Sequence, residues 1–148
     1  MTPAWRFAPV SDADFEPLLA LRIDVMREHL ERVFRYDPER ARRVFRQHFK
    51  EPGLRLILVG DVAIGCVGFR VGPETIKLDS FYLDRRHHNT GLGTAIMRVL
   101  LREADALRLP VQIEVLNGSK ADRFYLRHGF VKLSEDAIEG TYERRVPT

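Results

Sequence analysis

The sequence predicts an α+β fold, a mixed sheet flanked by helices, in the element order β-α-α-β-β-β-α-β-α-β-β. Three observations predict it. Residues 54–83 read as short apolar strands separated by turn signals at Gly60-Asp61 and Gly72-Pro73. Residues 92–107 carry apolar side chains at helical spacing directly after a glycine. The composition, 45% hydrophobic and 30% charged over 148 residues, fits one globular domain spanning 1–148 and argues against a disordered chain.

Charge and cysteine usage narrow the function classes. The net charge of +3 is mild and the charges are interleaved, which suits a polyphosphate ligand and does not demand nucleic acid. Nine Lys/Arg against five acids between Arg22 and Lys50 read mainly as the solvated face of two helices. A single cysteine, Cys66, allows no internal disulfide, and its apolar surroundings read as core. MTPAWRFAPV lacks the apolar stretch of a signal peptide, and no run reaches the eighteen apolar residues of a membrane span. A cytoplasmic protein with no membrane partner and no metal is the expectation.

In chain order, Trp5 to Val10 alternates as a first strand. Ser11 with Asp14 three residues on is a variant capping box for a helix with the stripe Leu18, Leu21, Val25 and Met26. Glu28 to Tyr36 either extends that helix or forms a loop that turns Val33, Phe34 and Tyr36 toward a cleft. Asp37-Pro38 starts a second helix with Asp37 as N-cap. Val44, Phe45, His48 and Phe49 lie on one side of it, and Pro52-Gly53 ends it. Strands follow at Leu54–Val59, Ala63–Val71 and Thr75–Leu83. The next helix has an apolar face of Leu92, Ala95, Ile96, Val99, Leu100, Ala104 and Leu107, and Pro110 follows its end. Val111–Leu116 is a strand, Lys120–His128 a short helix closed by Gly129, and Phe130–Leu133 and Thr141–Val146 are two last strands around Glu135–Gly140.

The chemistry concentrates where the strand 75–83 meets the helix opened by Gly91-Leu92-Gly93. A helix start leaves about four backbone N–H groups without partners, and the peptide dipoles place roughly half a positive charge there. Glycine lets an anion approach that backbone closely. Arg85, Arg86, His87, His88 and Asn89 are further donors beside it, so the junction suits a phosphate or pyrophosphate. The chain has no GxxxxGK[ST] loop. A dinucleotide fingerprint fits poorly, because Ile96 stands at its third glycine, although Glu114 falls about twenty residues on.

His88-Asn89-Thr90-Gly91-Leu92-Gly93 resembles the [Gln/Arg]-x-x-Gly-x-[Gly/Ala] motif of the Gcn5-related N-acetyltransferases (GNAT), with histidine in place of the usual Gln or Arg. VQIEVLNGSKADRFYLRHGF, residues 111–130, is similar to that family's fifth strand, fourth helix and "LYEKLGF"-like segment. The resemblance covers residues 75–130, and the element order is that of the GNAT fold. It implies a fourth and a fifth strand that run parallel and splay apart. The pantetheine arm of acetyl-CoA would lie in that splay on the backbone of Phe81, Tyr82 and Leu83, with Leu83 N–H near the thioester oxygen. It further implies phosphate binding by His88, Asn89, Thr90, Gly91, Leu92, Gly93 and Thr94. Phe124 and an asparagine-like contact from Asn117 or Ser119 complete the cofactor-binding set.

Acetyl transfer to an amine needs an unprotonated amine, stabilisation of the carbonyl oxygen and a proton for the leaving thiolate. Tyr125 matches the tyrosine of the family segment and is the candidate proton donor. The glutamate that serves as base in some members is Lys77 here, which leaves Asp79 on the same strand face and Glu114 on the next strand. His29 and Tyr82 are weaker candidates. The resulting expectation is an N-acetyltransferase moving an acetyl group from acetyl-CoA to a primary amine of a small molecule or protein, in a ternary complex. The alternative is a non-catalytic acetyl-CoA-binding module. A nucleic-acid-binding domain is motivated only by the pI and the arginines, and a second copy of the chain is a candidate partner.

Overall fold

The computed structural model describes residues 2–33 and 37–148, and among these the side chains of all but 28–30, 32 and 33. The elements are β1 (Trp5–Pro9), α1 (Phe15–Val33), α2 (Pro38–Lys50), β2 (Leu54–Val59), β3 (Val62–Val71), β4 (Ile76–Leu83), α3 (Leu92–Leu107), β5 (Val111–Leu116), α4 (Ala121–Arg127), β6 (Val131–Glu135) and β7 (Glu139–Arg144). The order is the expected one. They build one seven-stranded sheet, β1-β2-β3-β4-β5-β7-β6, antiparallel except between β4 and β5.

Local chemistry explains the boundaries. Ser11 N–H donates to Asp14 Oδ2 at 2.8 Å, which opens a 3-10 turn ahead of α1. The helix continues through residue 33, so the helical extension is observed; Phe34 and Tyr36 lie outside the described residues. Asp37 caps α2 as expected, accepting from the N–H groups of Glu39 at 3.0 Å and Arg40 at 3.4 Å. The last hairpin is tighter than the sequence suggests. Asp136 Oδ1 accepts from the N–H groups of Ile138 and Glu139, both at 2.8 Å, so an Asx turn closes it and Glu139 already belongs to β7. The strands therefore run 131–135 and 139–144 instead of 130–133 and 141–146.

Both faces of the sheet are covered. α1 and α2 pack on one face, where Phe15, Leu18, Leu19 and Phe45 meet Leu54, Leu56, Leu58 and Cys66. Phe15 and Phe45 stack at 5.7 Å, an aromatic pair worth about 1 kcal/mol beyond its buried area. The exposed arginines of α2 are partly anchored, since Arg42 pairs with Glu16 and Arg46 lies 4.0 Å over the Phe15 ring. α3 and α4 cover the other face around Ile57, Val67, Phe69, Ile76 and Leu78. The buried stripe of α3 is Leu92, Ile96, Met97, Leu100, Leu101 and Ala104. It is rotated from the expected face: Met97 and Leu101 replace Val99 and Leu107, which are exposed. Helical spacing identifies a stripe, but the docking angle decides which edge of it reaches the sheet.

Cys66 is a core residue. It is fully buried, its Sγ donates to the Ser80 carbonyl at 3.2 Å, and burial pushes its thiol up to about 12. No helix among the described residues is long and apolar enough to cross a membrane.

Candidate active site

Two irregularities in β4 make the site. The first is a bulge. Cys66 pairs with Tyr82 and Gly68 with Asp79, so two steps on β3 face three on β4. The extra residue adjoins Ser80, whose φ of 50° is left-handed. Before the bulge, Ile76 and Leu78 point to the α3 side; after it, Phe81 and Leu83 do so and Tyr82 points to the α1–α2 side. The second is a parting of strands. β4 and β5 pair only at Ile76↔Val111 and Lys77↔Gln112. Beyond Lys77 the β4 edge facing β5 has no ladder. This is the splay implied by the family resemblance.

A cavity of about 660 Å³ fills the gap, in the range of small-molecule sites. Its walls include Lys77 to Leu83 of β4, Ile113 to Leu116 of β5, Arg22, Val25 and Met26 of α1, and Ala41, Val44 and His48 of α2. The cavity gathers Asp79, Glu114, Tyr125, Phe81, Tyr82, Leu83, His88 and Ser119 from the expected site residues. Asn89 to Thr94, Asn117 and Phe124 lie outside its lining. The side chain of His29 lies outside the described residues.

Tyr125 is buried in α4 between the rings of Phe124, 5.2 Å away, and Phe130, 5.5 Å away. Its hydroxyl makes no hydrogen bond among the described residues. Burial raises its pKa, with a smaller contribution from Tyr82 across the splay, so it stays a protonated phenol at neutral pH. Tyr82 is raised as well, again chiefly by burial.

Of the candidate acids, Asp79 is engaged by an arginine. Arg70 Nε donates to Asp79 Oδ2 at 3.1 Å and Arg70 Nη2 to Asp79 Oδ1 at 3.0 Å, with both side chains largely buried. Arg70 also donates to the carbonyls of His48, Glu51 and Pro52, tying β3 and β4 to the end of α2. Gly68 makes room for this pair, since a Cβ there would lie 2.4 Å from Asp79 Oδ1. Glu114 is exposed at the cavity rim near Glu139, whose carboxyl is pushed up by burial first and by the neighbouring Glu114 carboxyl next. Lys77, also on the rim, partly offsets that shift.

The helix start is arranged as an anion site through its backbone. Gly91 takes φ 86°, a conformation that favours glycine, and no side chain caps α3. Ala95 N–H makes the first intrahelical bond, to Gly91, which leaves the N–H groups of Gly93 and Thr94 open. A Cβ on Gly93 would point into the space between Phe124 and Leu83, meeting them at 3.5 and 3.8 Å. The basic loop contributes less than expected. Arg85 turns away to Asp24 of α1 at 2.8 Å, Arg86 pairs with Asp84 at 3.0 Å, and the His88 ring bonds the Leu83 carbonyl at 2.7 Å. Arg85 and Arg86, expected as further donors beside this terminus, are thus each paired with an acid, Asp24 of α1 and Asp84 of the loop, and both stay exposed.

Ser119 and Asn117 separate in the structure. Asn117 Nδ2 donates to the Asp136 carbonyl at 2.9 Å and so braces the last hairpin. Ser119 lines the cavity while its Oγ accepts from Ala121 N–H at 3.1 Å. His48 also lines the cavity. Sequence reasoning missed it because its place on the apolar stripe of α2 reads as packing; what distinguishes it is a ring nitrogen, Nδ1, buried without a partner.

Comparison with known proteins agrees with this geometry. The structure resembles the PaiA N-acetyltransferase of Thermoplasma acidophilum in complex with coenzyme A, with a TM-score of 0.76, 12% identity and coverage of 96% of this chain and 99% of that one. It resembles an acetyltransferase of Thermus thermophilus, with a TM-score of 0.74, 20% identity and coverage of 95% and 96%. Ard1 of Thermoplasma volcanium matches with a TM-score of 0.73, 19% identity and coverage of 98% and 99%. At these identities the likeness shows the fold. No curated protein matches the sequence. The model of the acetyltransferase (GNAT) family matches residues 21–130, well over half of the chain, and the chain belongs to that family.

Proposed function

We propose that the protein transfers an acetyl group from acetyl-CoA to a primary amine of a small molecule or protein, both substrates being held together in the cavity between β4 and β5. One observation carries the reading. The parted strands β4 and β5 and the buried Tyr125, whose hydroxyl has no hydrogen-bond partner among the described residues, line one cavity. A solved structure of the same fold holds coenzyme A, which supports acetyl-CoA as co-substrate.

In this reading acetyl-CoA supplies an activated acyl group, and the chain supplies position and protons. The backbone of Gly91 to Thr94 and of His88 to Thr90 holds the phosphates. The β4 backbone at Phe81 to Leu83 holds the arm, and Ser119 and Phe124 border it. Tyr125 is the proton donor to the departing sulfur, a role a neutral phenol can fill at pH 7. Holding the amine beside the acyl carbon supplies much of the rate. The acceptor enters from the side bordered by α1, α2 and the 136–139 turn. A cytoplasmic location, and self-association as a homodimer, belong to the same proposal.

A second reading, an acetyl-CoA-binding module without turnover, has one observation in its favour: Arg70 takes both oxygens of Asp79. Release of free thiol from acetyl-CoA with a panel of alkylamines and lysine peptides decides between the two. Amine-dependent thiol release is expected. Tight acetyl-CoA binding with no release for any amine would establish the module instead.

A further inference from the structure

The cavity needs a group to take the proton of an alkylammonium, because an ammonium has no lone pair to attack with. Three of the acids lining it are occupied: Arg70 holds Asp79, Asp37 caps α2, and Asp136 holds its Asx turn. Glu114 and Glu139 stand as neighbouring carboxyls at the rim, beside Lys77. The His88 ring is bonded to the Leu83 carbonyl. His48 differs from all of these. It lines the cavity, is half-buried, and its ring nitrogens have no hydrogen-bond partner among the described residues. Nδ1 is fully buried, while Nε2 is not closed off in that way. Leaving a buried polar atom unpaired costs about 1–3 kcal/mol. Such atoms are rare in native cores, and a catalytic role met only in the complex is one accepted reason for them.

We propose that His48 is the catalytic base of the acetyl transfer, taking the proton of the incoming alkylammonium on Nε2, the ring nitrogen that is not closed off. The proposal rests on the N-acetyltransferase reading and names the missing member of that site. The N–H bond of the ammonium breaks and its proton bonds to the imidazole. The freed lone pair forms the new C–N bond as the C–S bond breaks toward sulfur. Sulfur receives the Tyr125 proton, the surplus proton on nitrogen restores the phenol through water, and imidazolium releases its proton to solvent. Products are amide, thiol and one proton.

The surroundings keep His48 ready. Burial lowers its pKa below the usual 6.5, Arg22 from α1 and Arg70 from β3 lower it further, and Asp79 from β4 and Glu51 beyond α2 oppose them. The ring is thus neutral at pH 7 and able to accept a proton. The pair Arg70–Asp79 is also its support, since Arg70 Nη2 donates to the His48 carbonyl at 2.9 Å. Asp79 therefore acts on His48 through the placement of α2 and through its charge, without itself taking the proton.

The test compares His48→Gln with wild type on two acceptor classes. Alkylamines such as benzylamine arrive protonated at pH 7 and need a base; arylamines such as aniline arrive neutral. His48→Gln should lose about 10²–10⁴-fold in kcat/KM on alkylamines, lose less than about tenfold on arylamines, and recover on alkylamines as pH rises toward the amine's own pKa. The ratio of the two losses does not depend on how much of the variant folds. A readout without turnover accompanies it: with coenzyme A present, benzylamine should shift the His48 ring resonances in NMR spectra of wild type. Equal losses on both classes, no loss on either, or ring resonances untouched by the amine would overturn the role of His48. A wild type inactive on all amines would overturn the transferase reading itself, and the base with it.

Discussion

Asp79 of β4, in the wall of the cavity, and Arg70 of β3 form a two-point ion pair with N···O distances of 3.0 and 3.1 Å. The side chains are only 14% and 10% exposed. An acid that sequence spacing offers as a base is in this way committed to joining β3, β4 and the end of α2. Asp79→Ala leaves a buried guanidinium half satisfied. The expected cost is about 3 kcal/mol, as for other broken buried pairs, or roughly 10 °C in Tm for a domain of this size. Thermal unfolding checks it. A variant of unchanged Tm that loses kcat would make Asp79 a base after all.

Tyr125→Phe removes one oxygen and keeps the ring that packs against Phe124 and Phe130. Expected are a fall in kcat of about 10²–10⁴-fold, an unchanged Tm and an unchanged affinity for acetyl-CoA. Steady-state kinetics with an active amine, beside calorimetry with acetyl-CoA, give the split. Retained kcat with chemistry limiting would assign proton delivery to water.

Gly93 is a cleaner probe of the phosphate site than Gly91. At Gly91 the φ of 86° strains any side chain, so a substitution confuses folding with binding. At Gly93 a Cβ meets its neighbours at ordinary distances, the nearest at 3.5 Å. Gly93→Glu should keep the fold, place an anion beside the open N–H groups and weaken acetyl-CoA at least about tenfold, or roughly 1.4 kcal/mol. Calorimetric affinity equal to wild type would move the phosphates elsewhere.

Acid sensitivity should trace to two histidines. Burial is the first cause of the lowered pKa of both His48 and His128; the cations Arg98, Arg127 and Arg144 add to it at His128. With folded values below 6.5, the unfolded chain binds these protons more readily. The stability they permit is complete above pH 6.5 and is lost as pH falls from there through the folded values. The double variant His48→Gln, His128→Gln should therefore lose less Tm than wild type between pH 7 and 5.5. An identical loss in both proteins would place the acid sensitivity in other groups.

The element order, the Asp37 cap, the glycine-opened α3 and the placing of Tyr125 on a short helix ended by Gly129 were all legible in the chain. These depend on neighbours a few residues apart, through capping bonds, helical spacing and backbone freedom. The family also followed, because its two motifs are local. Folding in three dimensions settled what depends on partners distant in the chain. The bulge at Ser80 reverses which face Phe81, Tyr82 and Leu83 present, and alternation along β4 cannot show it because the extra residue exists only relative to β3. Arg70 removes Asp79 from solvent, and Asp24 removes Arg85 from the helix start across 61 residues of chain. His48 reads as one more side chain on an apolar stripe until folding sets it in a cavity wall with a ring nitrogen unpaired. A residue's chemical type is written in the chain, but whether its charge or lone pair remains available is settled by which distant group folding brings against it.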